Sequence, residues 1–300
     1  MNRDVAVVGS ANLDIVVRVP HHPLKGETVL GGDHEQIPGG KGANQAVSAA
    51  RLGSNVAFLG CIGEDPAGAV LRESLDQAGV DTSAMRVVIG TPSGIALITV
   101  GPDGDNTIVV SPGANAILSP SDVNAHSEML QDTVTLLQLE IPLETTIAAA
   151  RTATGIVLLD PAPAPPDGLP AELLSEVDII APNETELALL AGREIDANDL
   201  DDVIDAAHSI AVEHVVVTLG ERGAMVVGEV TAHVPSPIVR AIDTTGAGDA
   251  FRSALATQIA HGRSLIDATS YAVRVGAATA MRFGAQPSLP TAAEVDERLS

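Results

Sequence analysis

Val5-Ala6-Val7-Val8-Gly9-Ser10-Ala11-Asn12-Leu13-Asp14 is the stretch on which the fold turns. Its apolar, β-branched start predicts a buried strand at Val5–Val8, and Gly9 ends the run before polar residues begin. Ligands of open α/β sheets bind beyond the carboxyl ends of the strands. Asn12 and Asp14 stand two residues apart at that place, so they alternate onto one face as paired hydroxyl binders would.

The same grammar recurs along the chain. A helix is predicted over Ala43–Leu52 and a strand over Asn55–Gly60. Asp65-Pro66 places an N-cap residue before a proline and opens a helix to about Gln77, and Ser119-Pro120 opens another near residues 120–130. Thr133–Leu139, Ile156–Asp160, Asp178–Ala181 and His214–Leu219 read as short buried strands, each followed by a turn and a helix. This alternation predicts an α/β fold with a central, mostly parallel sheet flanked by helices, Rossmann-like in layout. Two segments break it. Leu13–Val19 and Thr28–Ile37 surround a Pro/Gly-rich turn, and Gly94–Val100 and Asn106–Val110 surround Gly101-Pro102-Asp103-Gly104-Asp105, a hairpin signal. Such inserted pairs do not easily join a parallel sheet. The segments at about 12–37 and 93–111 are therefore expected to form a small β-sheet lid over the active face of one domain spanning 1–300, the alternative being a decorative edge hairpin.

The composition narrows the function. The 300 residues are 45% hydrophobic, enough for a sizeable core. Only 18% are charged, yet the net charge is −23, because bases are few: Lys25 and Lys41 are the lysines. A surface this acidic repels a phosphate backbone, which argues against nucleic acid as a partner. Any phosphate site must rest on backbone amides, helix N-termini, a metal or single arginines. The lone Cys61, the strand beginning within a few residues of the start and the lack of a bilayer-length apolar run lead to the expectation of a cytoplasmic protein with no membrane partner.

Glycine-rich segments carry the chemistry. In Asp243-Thr244-Thr245-Gly246-Ala247-Gly248-Asp249-Ala250-Phe251, small residues let backbone amides converge at a helix start, where the dipole favours an anion. An aspartate there opposes anion binding unless it faces a hydroxyl that is being phosphorylated. It then accepts the proton while the amides hold the transferring charge. A carboxylate is too weak a base to ionise an alcohol in its ground state, so such a transfer comes late. The plain alternative, an Asp near a helix cap after a glycine turn, stays open on this segment alone. Gly39-Gly40-Lys41-Gly42-Ala43-Asn44 also opens a helix, without the spacing of a Walker A loop, and no G-x-G-x-x-G fingerprint supports a dinucleotide dehydrogenase. Glu140 ends another strand. Asn183-Glu184-Thr185-Glu186 follows a further one, with helix capping as its simpler reading, and Thr218-Leu219-Gly220-Glu221-Arg222-Gly223 closes the set.

Together, in this order from Gly9 to Ser288, these motifs resemble the ribokinase family of carbohydrate kinases, with the Gly26-Glu27-Thr28-Val29 turn and Gly284-Ala285-Gln286-Pro287-Ser288 adding to the likeness. The resemblance implies transfer of the γ-phosphoryl group of ATP to D-ribose, giving ribose 5-phosphate. Kinases for deoxyribose, fructose or a nucleoside are rivals within the family, and a sugar-binding protein without catalysis is a rival outside it. Asp249 matches the catalytic base, and Gly246, Ala247 and Gly248 match the anion hole. Asn12, Asp14, Gly40, Lys41, Asn44 and Glu140 match sugar-binding positions. Asn183, Thr218, Gly220 and Gly223 match nucleotide-binding positions, with Gly248 beside them, and Glu186 the acid linked to Mg²⁺. Asp243, Thr245, Thr279, Arg282, Gly284 and Ser288 match a loop pair that binds an activating K⁺, several through backbone carbonyls. The inserted segments match a lid that also forms a homodimer contact. One departure stands out. After Phe251 the family commonly has Asn then Gly, whereas this chain has Arg252 and Ser253. Arg252 is expected to point to solvent or to pair with an acid, and a sharper alternative is that it alters nucleotide affinity. Val273 stands where a polar residue near the adenine is frequent, which implies apolar base contacts.

Overall fold

The computed structural model describes residues 3–300. In chain order its strands are β1 (Val5–Val8), β2 (Asn12–Arg18), β3 (His34–Gly39), β4 (Val56–Leu59), β5 (Cys61–Gly63), β6 (Arg86–Val88), β7 (Gly94–Val100), β8 (Asn106–Ser111), β9 (Val134–Leu137), β10 (Val157–Leu159), β11 (Ile179–Ile180), β12 (His214–Thr218), β13 (Ala224–Val227) and β14 (Ala232–Val234). Eight of them form the central sheet in the order β14-β13-β12-β11-β10-β9-β1-β4. From β4 to β12 every pairing is parallel, and only β12–β13 and β13–β14 are antiparallel.

The strands are apolar on both faces because helices cover both. Period-two alternation divides each strand between two cores. Val5, Val7, Phe58, Leu136 and Leu158 pack with the helices Lys41–Arg51, Ala247–Ala260 and Leu265–Thr279. Ala6, Val8, Leu59, Leu137 and Leu159 pack on the opposite side with Leu143–Thr152 and Leu200–His208. The helix Pro66–Gln77 begins as its sequence dictates, with Asp65 as N-cap accepting the Gly68 amide at 2.7 Å. The helix opened by Ser119-Pro120 is shorter than expected. It runs over Pro120–Ala125 and passes at His126 into a 3₁₀ turn, Ser127–Leu130.

The inserted segments form their own four-stranded sheet, β3-β2-β7-β8, with β7–β8 as the expected hairpin. The first pair is shorter than the sequence suggests, since pairing begins at His34 rather than at Thr28. β2 carries Asn12 and Asp14 straight from the end of β1 into this sheet. The expectation that a helix follows every strand fails after β12, where the chain turns back as β13 and β14. Gly220 and Gly223 allow that turn, with φ of 58° and 97°. β14 has three residues and leads into Pro235 and Pro237, while β4 at the other edge pairs with the backbone of Asp81 through Phe58 N–H and Val56 O. Among the described residues no helix is long and apolar enough to cross a membrane.

Leu158 is fully buried at the centre of the parallel sheet. Leu158→Ala should lower the unfolding free energy by about 2–5 kcal/mol. Denaturant unfolding of variant and parent checks this.

Candidate active site

Three loops at the carboxyl ends of parallel strands and two helix N-termini converge at one edge of the sheet. β1 delivers Ser10 and Asn12, β9 delivers Gln138 and Glu140, and β10 delivers Asp160. The helix Lys41–Arg51 enters from Gly40, whose φ of 85° only glycine adopts freely and whose Cβ would lie 2.6 Å from the Asn12 amide nitrogen. That close approach lets the Lys41 amide donate to Glu140 Oε2 at 3.1 Å. Glu140 Oε2 also accepts from Ser10 Oγ at 2.5 Å and from Asn12 Nδ2 at 3.5 Å, and Asn115 Nδ2 in turn holds Asn12 Oδ1 at 2.7 Å.

The helix Ala247–Ala260 starts from Gly246, left-handed at φ 76°. Asp249 lies in its first turn, 7% exposed. Its carboxylate accepts from Asn44 Nδ2 at 2.9 Å and Gln45 Nε2 at 3.1 Å. These bonds come from another helix, so Asp249 does more than a local cap would. Gln45 is itself a hub: it donates to Asp160 Oδ2 at 2.8 Å and accepts from Gln138 Nε2 at 2.5 Å. The other amide atom of Asn44, Oδ1, is buried and accepts no hydrogen bond among the described residues.

Charge is unevenly matched here. Burial, then Glu140 and Asp249, push the Asp14 carboxyl up to about 7. Burial pushes Asp160 up to about 6 against the opposing pull of Arg252 and Lys41; its ion pair with Arg252 at 3.0 Å offsets only part of the desolvation. Burial alone would lower the Lys41 ammonium, but the carboxylates of Asp160, Asp249 and Glu140 hold it above its usual range. Arg252 does not point to solvent. It is 4% exposed and pairs with Asp160 and, at 3.1 Å, with Glu186, so the acid-pairing expectation describes it and the solvent one does not.

Next to Asp249 opens a cavity of about 910 Å³ walled by Asn183, Thr218, Gly220, Gly223, Ala247, Gly248 and Val273. The predicted nucleotide positions thus share one space. Asn183 and Glu186 form a reciprocal capping box, each bond 2.8 Å, at the start of the helix Glu184–Ala191. A second cavity, about 460 Å³, lies between the small sheet and the loops around Asp243 and Gly284, and Asp14 lines it. Asp243 clamps those loops: Oδ1 accepts Thr245 N–H at 2.9 Å and Thr245 Oγ at 2.6 Å, and Oδ2 accepts Gly284 N–H at 2.9 Å. Burial alone would raise the Asp243 carboxyl, but these donors and Arg18 hold it below its ordinary range. The side chains of Thr279, Arg282 and Ser288 are spent elsewhere, on Val275 O, Glu294 and Ala285 O. Any part they take in an ion site is through the backbone.

Sequence reasoning passed over Ser10, Gln45, Asn115, Gln138 and Asp160. Asp160 carried the signal already used for Glu140, a carboxylate at the end of a buried strand. Gln45 and Gln138 carried none, because their partners lie 93 to 204 residues away.

Comparison with known proteins places the whole chain in one family. The pfkB family of carbohydrate kinases matches residues 2–292. The ribokinase of Haemophilus influenzae is 39% identical over 100% of this chain and 99% of its own, and that of Bacillus subtilis 37% over 99% and 100%. The deoxyribokinase of Salmonella typhi is 36% identical over 99% of each. The crystal structure of ribokinase from Thermotoga maritima superposes with a TM-score of 0.90 at 37% identity, covering 99% of both chains. Arabidopsis thaliana ribokinase complexed with ribose and ATP superposes at 0.86 with 32% identity, over 100% of this chain and 99% of the other. The chain belongs to the pfkB family of carbohydrate kinases.

Proposed function

We propose that the protein phosphorylates D-ribose at the expense of ATP, giving ribose 5-phosphate and ADP. The carrying observation is Asp249: a buried carboxylate at a helix N-terminus, fixed by Asn44 and Gln45, between a cluster of hydroxyl-binding groups and the wall of the large cavity. Asn12, Asp14, Gly40, Lys41, Asn44 and Glu140 hold the sugar, with the free Asn44 Oδ1 accepting one of its hydroxyls. Asparagine and carboxylate acceptors suit a polyol, and no aromatic stacking surface is needed. Asn183, Thr218, Gly220 and Gly223 hold the nucleotide, and Val273 gives its base an apolar wall. As the sugar oxygen bonds to phosphorus, Asp249 accepts its proton. The amides of Gly246 and Gly248, joined by that of Ala247 once it leaves its 3.1 Å bond to Thr244 O, hold the charge on the transferring group. The small sheet serves as a lid on a single kinase domain. Its exposed Leu97, Ile108, Val109 and Val110 form apolar surface that a homodimer would bury.

Two cations fit this chain. Glu186 uses Oε2 for the Asn183 amide and Arg252, which leaves Oε1 for a hydrated Mg²⁺ that accompanies ATP and neutralises its phosphates. Asp243 is held ionised and makes no ion pair among the described residues. This negative charge beside the phosphate helix suits K⁺ bound through the carbonyls of the two loops it clamps.

A screen of ADP release over ribose, deoxyribose, fructose and nucleosides tests the assignment: ribose should have the highest kcat/KM, and no ADP release with any of them refutes it. Asp249→Asn should lower kcat by roughly 10²–10⁴-fold while the fold is kept; near-normal turnover would refute the base. Replacing sodium by potassium at constant ionic strength should raise turnover, and equal rates would remove K⁺ from the scheme. For pH, the free Asp14 carboxyl is protonated below about 7. If it accepts sugar hydroxyls as a carboxylate, it releases a proton on binding. Sugar affinity should then rise by up to about tenfold per pH unit towards 7 and level off above. Asp14→Asn should flatten that slope, and a flat profile in the parent would count against the role.

A further inference from the structure

Arg252 is built into the phosphate end of the large cavity in a way that ion pairing alone does not explain. It stands on the second turn of the helix Ala247–Ala260. Its Nε donates to Ala181 O at 2.8 Å and lies 3.0 Å from Asp160 Oδ1. Its Nη2 donates to Glu186 Oε2 at 3.1 Å. Those contacts fix the plane of the guanidinium from two sides. Nη1 has no acceptor among the described residues. It lies against Gly248, where an added Cβ would come within 2.7 Å of it, and Arg252 lines the cavity together with Ala247 and Gly248. A side chain 4% exposed thus keeps one nitrogen's donors unspent, beside the amides that open the helix. Those donors face the cavity, where a ligand oxygen can take the place of water on a guanidinium already held in position.

We infer that Arg252 is a phosphate-binding residue of this chain: Nη1 donates to a terminal phosphate oxygen of the nucleotide held over Gly248, while Asp160 and Glu186 keep the guanidinium in place. This rests on the kinase reading of the cavity. In a chain with 16 Lys and Arg against 39 Asp and Glu, the contact gives the neutral amide cradle a fixed cation of its own. The lack of a side chain at Gly248 is what admits it. Arg222, the other arginine on the cavity wall, is paired with Glu184.

The test uses calorimetric Kd values for ATP and ADP with Mg²⁺, AMP, adenosine and ribose. They are measured on the parent, on Arg252→Lys, and on the charge-matched double variant Asp160→Asn with Arg252→Gln, which avoids leaving a buried Asp160 unpaired. The double variant should bind ATP and ADP at least tenfold more weakly, with adenosine and ribose within twofold of the parent and Arg252→Lys in between. Folded variants that bind ATP and ADP within twofold of the parent would overturn the inference. So would an equal loss for adenosine, which marks a collapsed cavity instead of a lost phosphate contact. If neither variant folds, a structure of the parent with ADP decides: Nη1 within about 3.2 Å of a phosphate oxygen supports the contact, and a longer separation rejects it. A parent that binds no nucleotide at all would bring down the kinase reading itself, whereas an active parent with indifferent variants removes only this role of Arg252.

Discussion

The Asp249 carboxylate is buried in the first turn of a helix, and among the described residues no lysine or arginine forms an ion pair with it. Neutral amide donors hold it instead, Asn44 Nδ2 on one oxygen and Gln45 Nε2 on the other. They fix the direction of both oxygens without an ion pair at either. The neighbourhood is organised around that choice. Lys41 and Arg252 stand close enough to hold Asp160, Glu140 and Glu186, but the acids of the site outnumber them. Burial raises the carboxyls of Asp14 and Asp160; neighbouring acids add to the rise at Asp14, and Arg252 and Lys41 oppose it at Asp160.

The backbone makes the arrangement possible. Strand ends, glycine turns and helix starts meet at one edge of a parallel sheet because every crossover from β9 to β12 returns the chain in the same direction. Gly40 brings one helix against the end of β1, and Gly246 turns the chain into the other. β2 then leaves β1 for the small sheet carrying Asp14 with it, so a residue of the second sheet is covalently close to the first. The two cavities share the loop around Thr244, which lines both and joins the Asp243 clamp to the anion-binding turn.

Much of this was legible in the amino-acid order. Val5–Val8 reads as a strand and is one, and Asp65-Pro66 begins its helix where capping chemistry says it must. Asp249, Asn44 and Glu140 could be picked out because each sits in a local pattern, a glycine turn or a strand end. The β13–β14 hairpin was missed because its run resembles any apolar strand, and only the turn at Gly220–Gly223 diverts it from a helix. The Gln138–Gln45–Asp160 chain was missed for a different reason: amides in an apolar run have no period or spacing to betray them. Arg252 was visible as an oddity, but the paired acids and the space over Gly248 that give it meaning exist only once the strands are side by side.

The edges of the central sheet carry a consequence for the protein in a crowded solution. An open sheet of eight strands offers unpaired backbone groups along both flanks, and such flanks can recruit foreign strands into aggregates. Here one flank is a three-residue strand running into Pro235 and Pro237, which have no amide hydrogen to give, and the other is bonded to the chain at Asp81. Each flank thus offers a further strand only a short free ladder, so the fold that gathers catalytic groups at its carboxyl edge presents little edge to its neighbours.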